Sequence, residues 1–236
     1  MIDFTRMRQK ADQYQVTLSE KQLNQLDQYA ELLVDWNTRM NLTGITDSEG
    51  IMTRHFEDSL TILHSMKLPQ NASVIDVGTG AGFPGLVLKI ARPDIRLTLL
   101  DSLQKRILFL QAVASTLNLE VSTLHLRAEE GGKMRQYREC YDVAVARAVA
   151  QLRELSEYCL PYVKVGGQFA AMKGPDCGEE IASARPGIGT LGGSIREVNE
   201  LTISDGSGRS IVVIDKIRQT PVNYPRPSAK IAKKPL

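Results

Sequence analysis

The chain has 236 residues, 42% hydrophobic and 24% charged, with a formal net charge of +2. These fractions are those of an ordinary globular protein of one large domain, or one domain with a small appendage. No apolar run approaches the roughly 20 residues of a membrane span, and the start Met1-Ile2-Asp3-Phe4 has an early acid and no signal-peptide core, so a cytosolic protein with no membrane partner is expected.

Cys140, Cys159 and Cys177 are odd in number and lack a C-x-x-C pair. That excludes a disulfide framework or zinc knuckle and predicts buried, reduced thiols.

Ser19, with Gln22 three residues on, starts a helix over 19–37 as a capping box, and Leu23, Leu26, Ala30, Leu33 and Trp36 recur at helical spacing. The turn residues Asn41-Leu42-Thr43-Gly44 end it. A second helix over 49–65 carries Phe56, Leu60 and Leu63 on one face, so 1–70 is a helical N-terminal segment and 71–236 the main domain. The period then changes. Short strands are predicted at 73–77, 96–100, 121–126, 141–146 and 167–172, separated by helices at 84–90, 103–117, 152–160 and 176–184. Alternation of this kind gives a doubly wound α/β fold with a mostly parallel sheet covered on both faces. Pro186 to Gly193 reads as a mobile loop. The runs 195–203 and 209–216 are joined by Ser204-Asp205-Gly206-Ser207-Gly208, too short for a parallel crossover, so a terminal antiparallel hairpin completes a Rossmann-like sheet.

Net charge alone says nothing about nucleic acid, but its distribution does. From Lys216 onward the chain carries Lys216, Arg218, Arg226, Lys230, Lys233 and Lys234 with no acid among them, interleaved with Pro221, Pro225, Pro227 and Pro235. An extended, proline-stiffened basic tail suits a polyanion.

Asp76-Val77-Gly78-Thr79-Gly80-Ala81-Gly82-Phe83-Pro84-Gly85 is the main candidate site. Gly80, Gly82 and Gly85 satisfy G-x-G-x-x-G at the carboxyl end of the first strand, with Asp101 about 20 residues on, at the end of the second. Two cofactors fit this pattern. A dinucleotide would set its pyrophosphate against the loop amides. A sulfonium cofactor carries a positive centre and needs a nearby carboxylate, which Asp76 supplies, and Asp101 can hold ribose hydroxyls in either case. The hairpin and the lack of a second catalytic domain favour the class I methyltransferase sheet over an oxidoreductase.

The motifs make the reading specific. Trp36-Asn37 with Asn41-Leu42-Thr43, Arg54 through Leu60, Asp76 through Leu86, Leu99 through Arg106, Arg127-Ala128-Glu129, Arg147-Ala148-Val149-Ala150, Lys173-Gly174 and the tail Tyr224-Pro225-Arg226 with Lys233-Lys234-Pro235-Leu236 together resemble the RsmG/GidB family of bacterial rRNA methyltransferases. The resemblance implies S-adenosylmethionine as cofactor, 16S rRNA in the small subunit or its assembly intermediate as partner, and N7-methylguanosine at position 527 of the 530 loop as product. It assigns Gly78, Phe83, Ala128, Glu129 and Arg147 to the cofactor, beside Asp76, Gly80 and Asp101 from the loop reading. The tail departs from the family at Ala229-Lys230-Ile231, where members carry a Gly-Thr-Pro step. A protein that binds rRNA on the same fold without catalysis is the remaining alternative.

Guanine N7 has an in-plane lone pair and no proton, so attack on a sulfonium methyl needs no general base. Rate must come from alignment and electrostatic fit. Arg147, ending a buried strand, is the candidate catalytic residue: it can pair the cofactor carboxylate, hydrogen-bond guanine O6, or pair an acid such as Glu129. Lys105, Arg106, Arg226, Lys230, Lys233 and Lys234 are the candidate RNA contacts. His55 and Asp58, three apart on one helix face, are too few for a metal, and none is expected. A monomer is expected.

Overall fold

The computed structural model describes residues 1–236. Helix α1 (Phe4–Asp12), for which the sequence reading has no counterpart, starts where the Asp3 side chain accepts from the Arg6 amide. Helix α2 (Glu20–Asn37) has the predicted capping box at Ser19 and Gln22. The Gln22 amide group also donates to Ile90 O at 2.7 Å, satisfying a carbonyl at the end of another helix. The predicted 49–65 helix is built in three parts: α3 (Ser48–Gly50), a π-helical stretch Ile51–Glu57, and α4 (Asp58–Ser65).

The remaining elements follow in chain order. They are β1 (Ser73–Val77), α5 (Gly85–Ala91), β2 (Arg96–Asp101), α6 (Gln104–Thr116), β3 (Val121–His125), α7 (Ala128–Gly131), β4 (Tyr141–Arg147), α8 (Leu152–Cys159), β5 (Val163–Lys173), α9 (Gly178–Thr190), β6 (Gly193–Thr202), β7 (Gly208–Lys216) and α10 (Ser228–Lys233). The seven-stranded sheet has the order β3-β2-β1-β4-β5-β7-β6. Pairings among β1 to β5 are parallel, and β7 runs antiparallel to both β5 and β6, which is the expected hairpin.

Period-two alternation divides the sheet between two cores. Val143 and Val145 face one core with α1, α2, α4, α5 and α6, whereas Ala144 and Ala146 face the other with α8 and α9. Residues on both sides of position 70 share the first core: Leu23, Leu26 and Leu33 of α2 lie in one cluster with Leu86, Leu88 and Leu110.

Three expectations change. The segment 186–193 is not a loop, because α9 continues through Pro186 to Thr190. Ile181, Ala184 and Ile188 are buried at helical spacing, and that burial outweighs the roughly 3 kcal/mol cost of an internal proline. The tail is not extended throughout: it turns into α10, seated by the fully buried Ile231. Of its bases, Lys216 is internal, donating to Leu160 O (2.6 Å) and Thr220 Oγ1 (2.8 Å) and pairing Glu139, with burial pulling its pKa down to about 8. Cys159 and Cys177 are buried as expected, but Cys140 is exposed.

Candidate active site

Strand order reverses beside β1, whose neighbours are β2 and β4, so a crevice opens at the carboxyl ends of those strands. The Gly loop leaves β1 there with Gly78, Gly80 and Gly82 all at positive φ. Gly78 has no alternative: φ is +71° and an added Cβ would stand 2.7 Å from Val149 Cγ2. Helix α2 braces the loop, since the Tyr29 hydroxyl donates to Ala81 O and the Tyr29 ring stacks on Phe83 at 5.2 Å.

The loop amides are already engaged. Gly78 and Thr79 donate to Leu100 O, Gly82 and Phe83 to Thr79 O, Gly80 to Asp101 Oδ2, and Gly85 to Asp76 Oδ2. A pyrophosphate would need these donors free. Asp76, expected to face the cofactor, instead lies wholly buried beneath the loop and ties Thr79 Oγ1 (2.7 Å) and Gly85 N (2.8 Å) together. Its Oδ1 has no partner, and burial raises its pKa to about 6.

A cleft of about 350 Å³ runs from this loop along the ends of β2 and β3. Gly78, Asp101, Ala128 and Glu129 line it, as do Arg106, Arg127 and Val149 from the sequence motifs and Glu154, Tyr158 and Ser228, which no motif marks. Asp101 is held rigidly, its Oδ1 accepting from Leu103 N (2.9 Å) and its Oδ2 from Gly80 N (3.0 Å) and Arg106 Nη1 (3.3 Å). Glu129 is buried in the wall. Acids and apolar side chains such as Leu100, Leu126 and Val149 fit a cationic sulfonium and a nucleoside. Asp101 would take ribose hydroxyls, Glu129 the nucleobase amine, and the space above Gly78 the methionine chain. Gly80 and Phe83 do not line this cleft; Gly80 positions Asp101, and Phe83 is packed among aromatic rings.

A second cavity, of about 440 Å³, shares Ala148 with the cleft. Ala148 has φ +55°, a left-handed conformation that a non-glycine residue adopts only where its surroundings hold it. Arg147 lines this second cavity, with Arg54, His55, Asp58, Lys173 and Arg209, and is absent from the cofactor cleft. Its partner is Asp58, at 2.8 Å, rather than Glu129. Asp58 Oδ1 takes Arg209 Nε at 2.8 Å, so one buried carboxylate holds two guanidiniums. Arg147 also donates to Arg54 O (3.0 Å) and lies over the Phe83 ring, 5.0 Å from its centroid.

His55 stacks on Phe83 at 4.4 Å. Its Nε2 is 2.9 Å from Thr43 Oγ1, and its Nδ1 is 3.5 Å from Arg147 Nη2. Burial, then the Arg147 charge, lowers its pKa to about 4, so it is neutral at physiological pH. Arg209 escaped sequence reasoning because nothing around Gly208-Arg209-Ser210 marks it; only its contact with Asp58 does.

Among the expected RNA contacts, Lys105, Lys230, Lys233 and Lys234 are exposed. Arg106 is turned into the cofactor cleft. Arg226 is not free to meet RNA: the fully buried Glu157 accepts from its Nη2 at 2.6 Å and its Nε at 2.9 Å, so its charge is paired inside the fold. No helix is long and apolar enough to cross a membrane.

The pattern of the GidB family, described as rRNA small subunit methyltransferase G, matches residues 22–206. Ribosomal RNA small subunit methyltransferase G of Alkaliphilus metalliredigens is 50% identical over 93% of this chain and 92% of its own length. That of Brevibacillus brevis is 48% identical over 94% of each. Among solved structures, TrmN from Thermus thermophilus aligns with a TM-score of 0.54 at 17% identity, over 70% of this chain and 53% of its own. A 16S rRNA (adenine(1408)-N(1))-methyltransferase from Catenulisporales acidiphilia aligns with a TM-score of 0.54 at 13% identity, over 63% of this chain and 87% of its own. Those two distant structures establish the class I methyltransferase fold alone. With a family pattern over most of its length and full-length relatives near half identity, the chain belongs to the GidB family of rRNA small subunit methyltransferases and uses S-adenosylmethionine.

Proposed function

We propose that the chain methylates guanine N7 in the 530 loop of 16S rRNA, at position 527, with the cofactor in the Gly78–Glu129 cleft and the guanine in the Arg147–Arg209 cavity. The observation that carries this is the contact of the two cavities at Ala148: a nucleophile on one side and a methyl donor on the other meet at one strand end. S-adenosylmethionine supplies an electrophilic methyl group when bound.

The protein's share is placement. Arg147 and Arg209 each have a guanidinium edge beyond Asp58, offering donors to guanine O6 while N7 stays free to attack. His55, neutral and stacked on Phe83, extends an aromatic wall for the base. Methyl transfer carries positive charge from the sulfonium to the guanine ring, so the Arg147 and Arg209 guanidiniums serve to hold O6 in place rather than to stabilise the charge that develops on the base. No residue is needed to remove a proton. Lys105 and the lysines of α10 would meet phosphates at the rim. Residues of one chain line both cavities, which supports reading the acting species as a monomer.

Small subunits from cells lacking this methylation, incubated with the protein and tritiated cofactor, should yield label as 7-methylguanosine in the 530 loop. Label in another nucleoside or another helix would overturn the assignment.

A further inference from the structure

Helix α1 lies outside the residues matched by the family pattern, and nothing in the site described above includes it. Yet it sends Lys10 into the interior, with a side chain only 6% exposed. The Lys10 ammonium donates to Thr53 Oγ1 at 2.8 Å and to Glu57 Oε2 at 3.1 Å. Glu57 is fully buried. Its other oxygen accepts from Tyr14 OH (3.0 Å), Ser204 N (2.8 Å) and Ser204 Oγ (2.7 Å). Three distant segments, α1, the π-helical stretch and the β6–β7 turn, therefore converge on one carboxylate.

Glu57 ends the π-helical stretch, and the next residue is Asp58, the shared acid of Arg147 and Arg209. Consecutive helical residues project about 100° apart, so Glu57 turns toward α1 while Asp58 turns toward the acceptor cavity. The Asp58 amide bonds to Thr53 O, one turn of the wider helix back, and Thr53 is the second ligand of Lys10. A π turn is intrinsically less favourable than an α turn and persists where tertiary contacts hold it, often beside a functional site. Here the contacts holding it are those of Lys10, which also pairs Glu49 at 3.3 Å, together with Tyr14 and Ser204.

We propose that Lys10 is a positioning residue for methyl transfer: through Glu57 and Thr53 it fixes the π turn, and so the placement of Asp58 and the two guanidiniums that face the acceptor base. The inference rests on the acceptor-cavity reading above. It assigns to α1 a part in the reaction rather than in packing alone.

The test uses the full chain and small-subunit substrate. Lys10→Met keeps the stem and removes the ammonium. It should lower kcat by about tenfold or more, since misplacement near 1 Å can cost about 100-fold. The affinity for S-adenosylmethionine should stay within about twofold, because the cofactor cleft shares no residue with this network. Lys10→Arg should recover part of the rate. Met7→Ala, which empties a fully buried site on the same helix without touching Glu57, should lower the melting temperature and leave kcat per folded molecule unchanged. Should Lys10→Met prove unfolded, Tyr14→Phe removes one ligand of Glu57 and should still lower kcat several-fold. Wild-type kcat in Lys10→Met, or in Tyr14→Phe where that variant stands in, would overturn the inference. So would a fall in kcat that Met7→Ala reproduces. Arg147→Ala, run alongside, distinguishes the two readings: if it loses rate and Lys10→Met does not, only the inference fails, and if it too keeps its rate, the acceptor-cavity reading fails with it.

Discussion

The cofactor cleft and the acceptor cavity touch at Ala148 but are built on different principles. The cleft is made by loops that follow consecutive parallel strands, and its shape depends on backbone: glycines at positive φ and amides that bond each other rather than a ligand. The acceptor cavity is lined from five separate stretches, 45, 54–58, 147–148, 172–174 and 209, with Arg147 and Arg209 both paired to Asp58. Backbone cradles tolerate few substitutions but need few special residues. A charge cluster depends instead on its shared acid, because removing Asp58 would take the carboxylate from two guanidiniums at once.

That difference can be broken at either side. The largest effect should come from Gly78→Val. A branched side chain at φ +71°, set against Val149, combines backbone strain with overpacking, together about 4 kcal/mol. Cofactor affinity measured by calorimetry should fall about 1000-fold, while circular dichroism shows the sheet intact. Affinity within tenfold of wild type would mean that the cofactor does not pass over Gly78.

On the acceptor side, Arg147→Ala should lower kcat by about 100- to 1000-fold, the range for a lost donor at the reacting group, with cofactor affinity nearly unchanged because Arg147 lies outside the cleft. Parallel losses in cofactor affinity and rate would place the guanidinium on the cofactor instead.

Acid separates the two regions by sign. His55 is held neutral, its pKa lowered from 6.5 to about 4, so its contribution to stability is present above pH 6.5 and lost as pH falls toward 4. Asp76 is shifted the other way, from 3.8 to about 6, so its burial penalises the fold above pH 6 and the penalty is relieved as pH falls toward 4. Each amounts to about 3 kcal/mol, and over this window they oppose. Urea midpoints at pH 6.5 and 4.5 should therefore differ little in the wild type. In His55→Asn the midpoint should rise on acidification, and a fall would show that Asp76 is not the compensating group.

The smallest effect belongs to the rim. Helix α10 begins at Ser228 in the cleft wall, which sets Lys230, Lys233 and Lys234 beside the opening. Changing all three to Ala should weaken RNA binding about tenfold and reduce the slope of log affinity against log salt by about 2, with cofactor binding unaffected. An unchanged slope would leave those lysines as solvated charges.

The sequence by itself determined the sheet, the hairpin, the α2 capping box and the Gly loop, because each is signalled within a few residues by period, capping chemistry or the φ that only glycine supplies. It also marked Asp101, Ala128 and Glu129, which lie where strands end. What it misplaced were side chains whose role depends on a distant partner. Asp76 reads as a cofactor carboxylate, whereas it lies buried beneath the loop with its Oδ2 holding Thr79 and Gly85, and Arg226 reads as an RNA contact until Glu157 is found beneath it. Arg209 and Lys10 carry no local signal; their meaning comes from Asp58 and Glu57, far away in the chain. Local order is encoded by neighbours in sequence, whereas the pairing of buried charges is decided only when folding excludes water and leaves each charge the partners that tertiary contact provides.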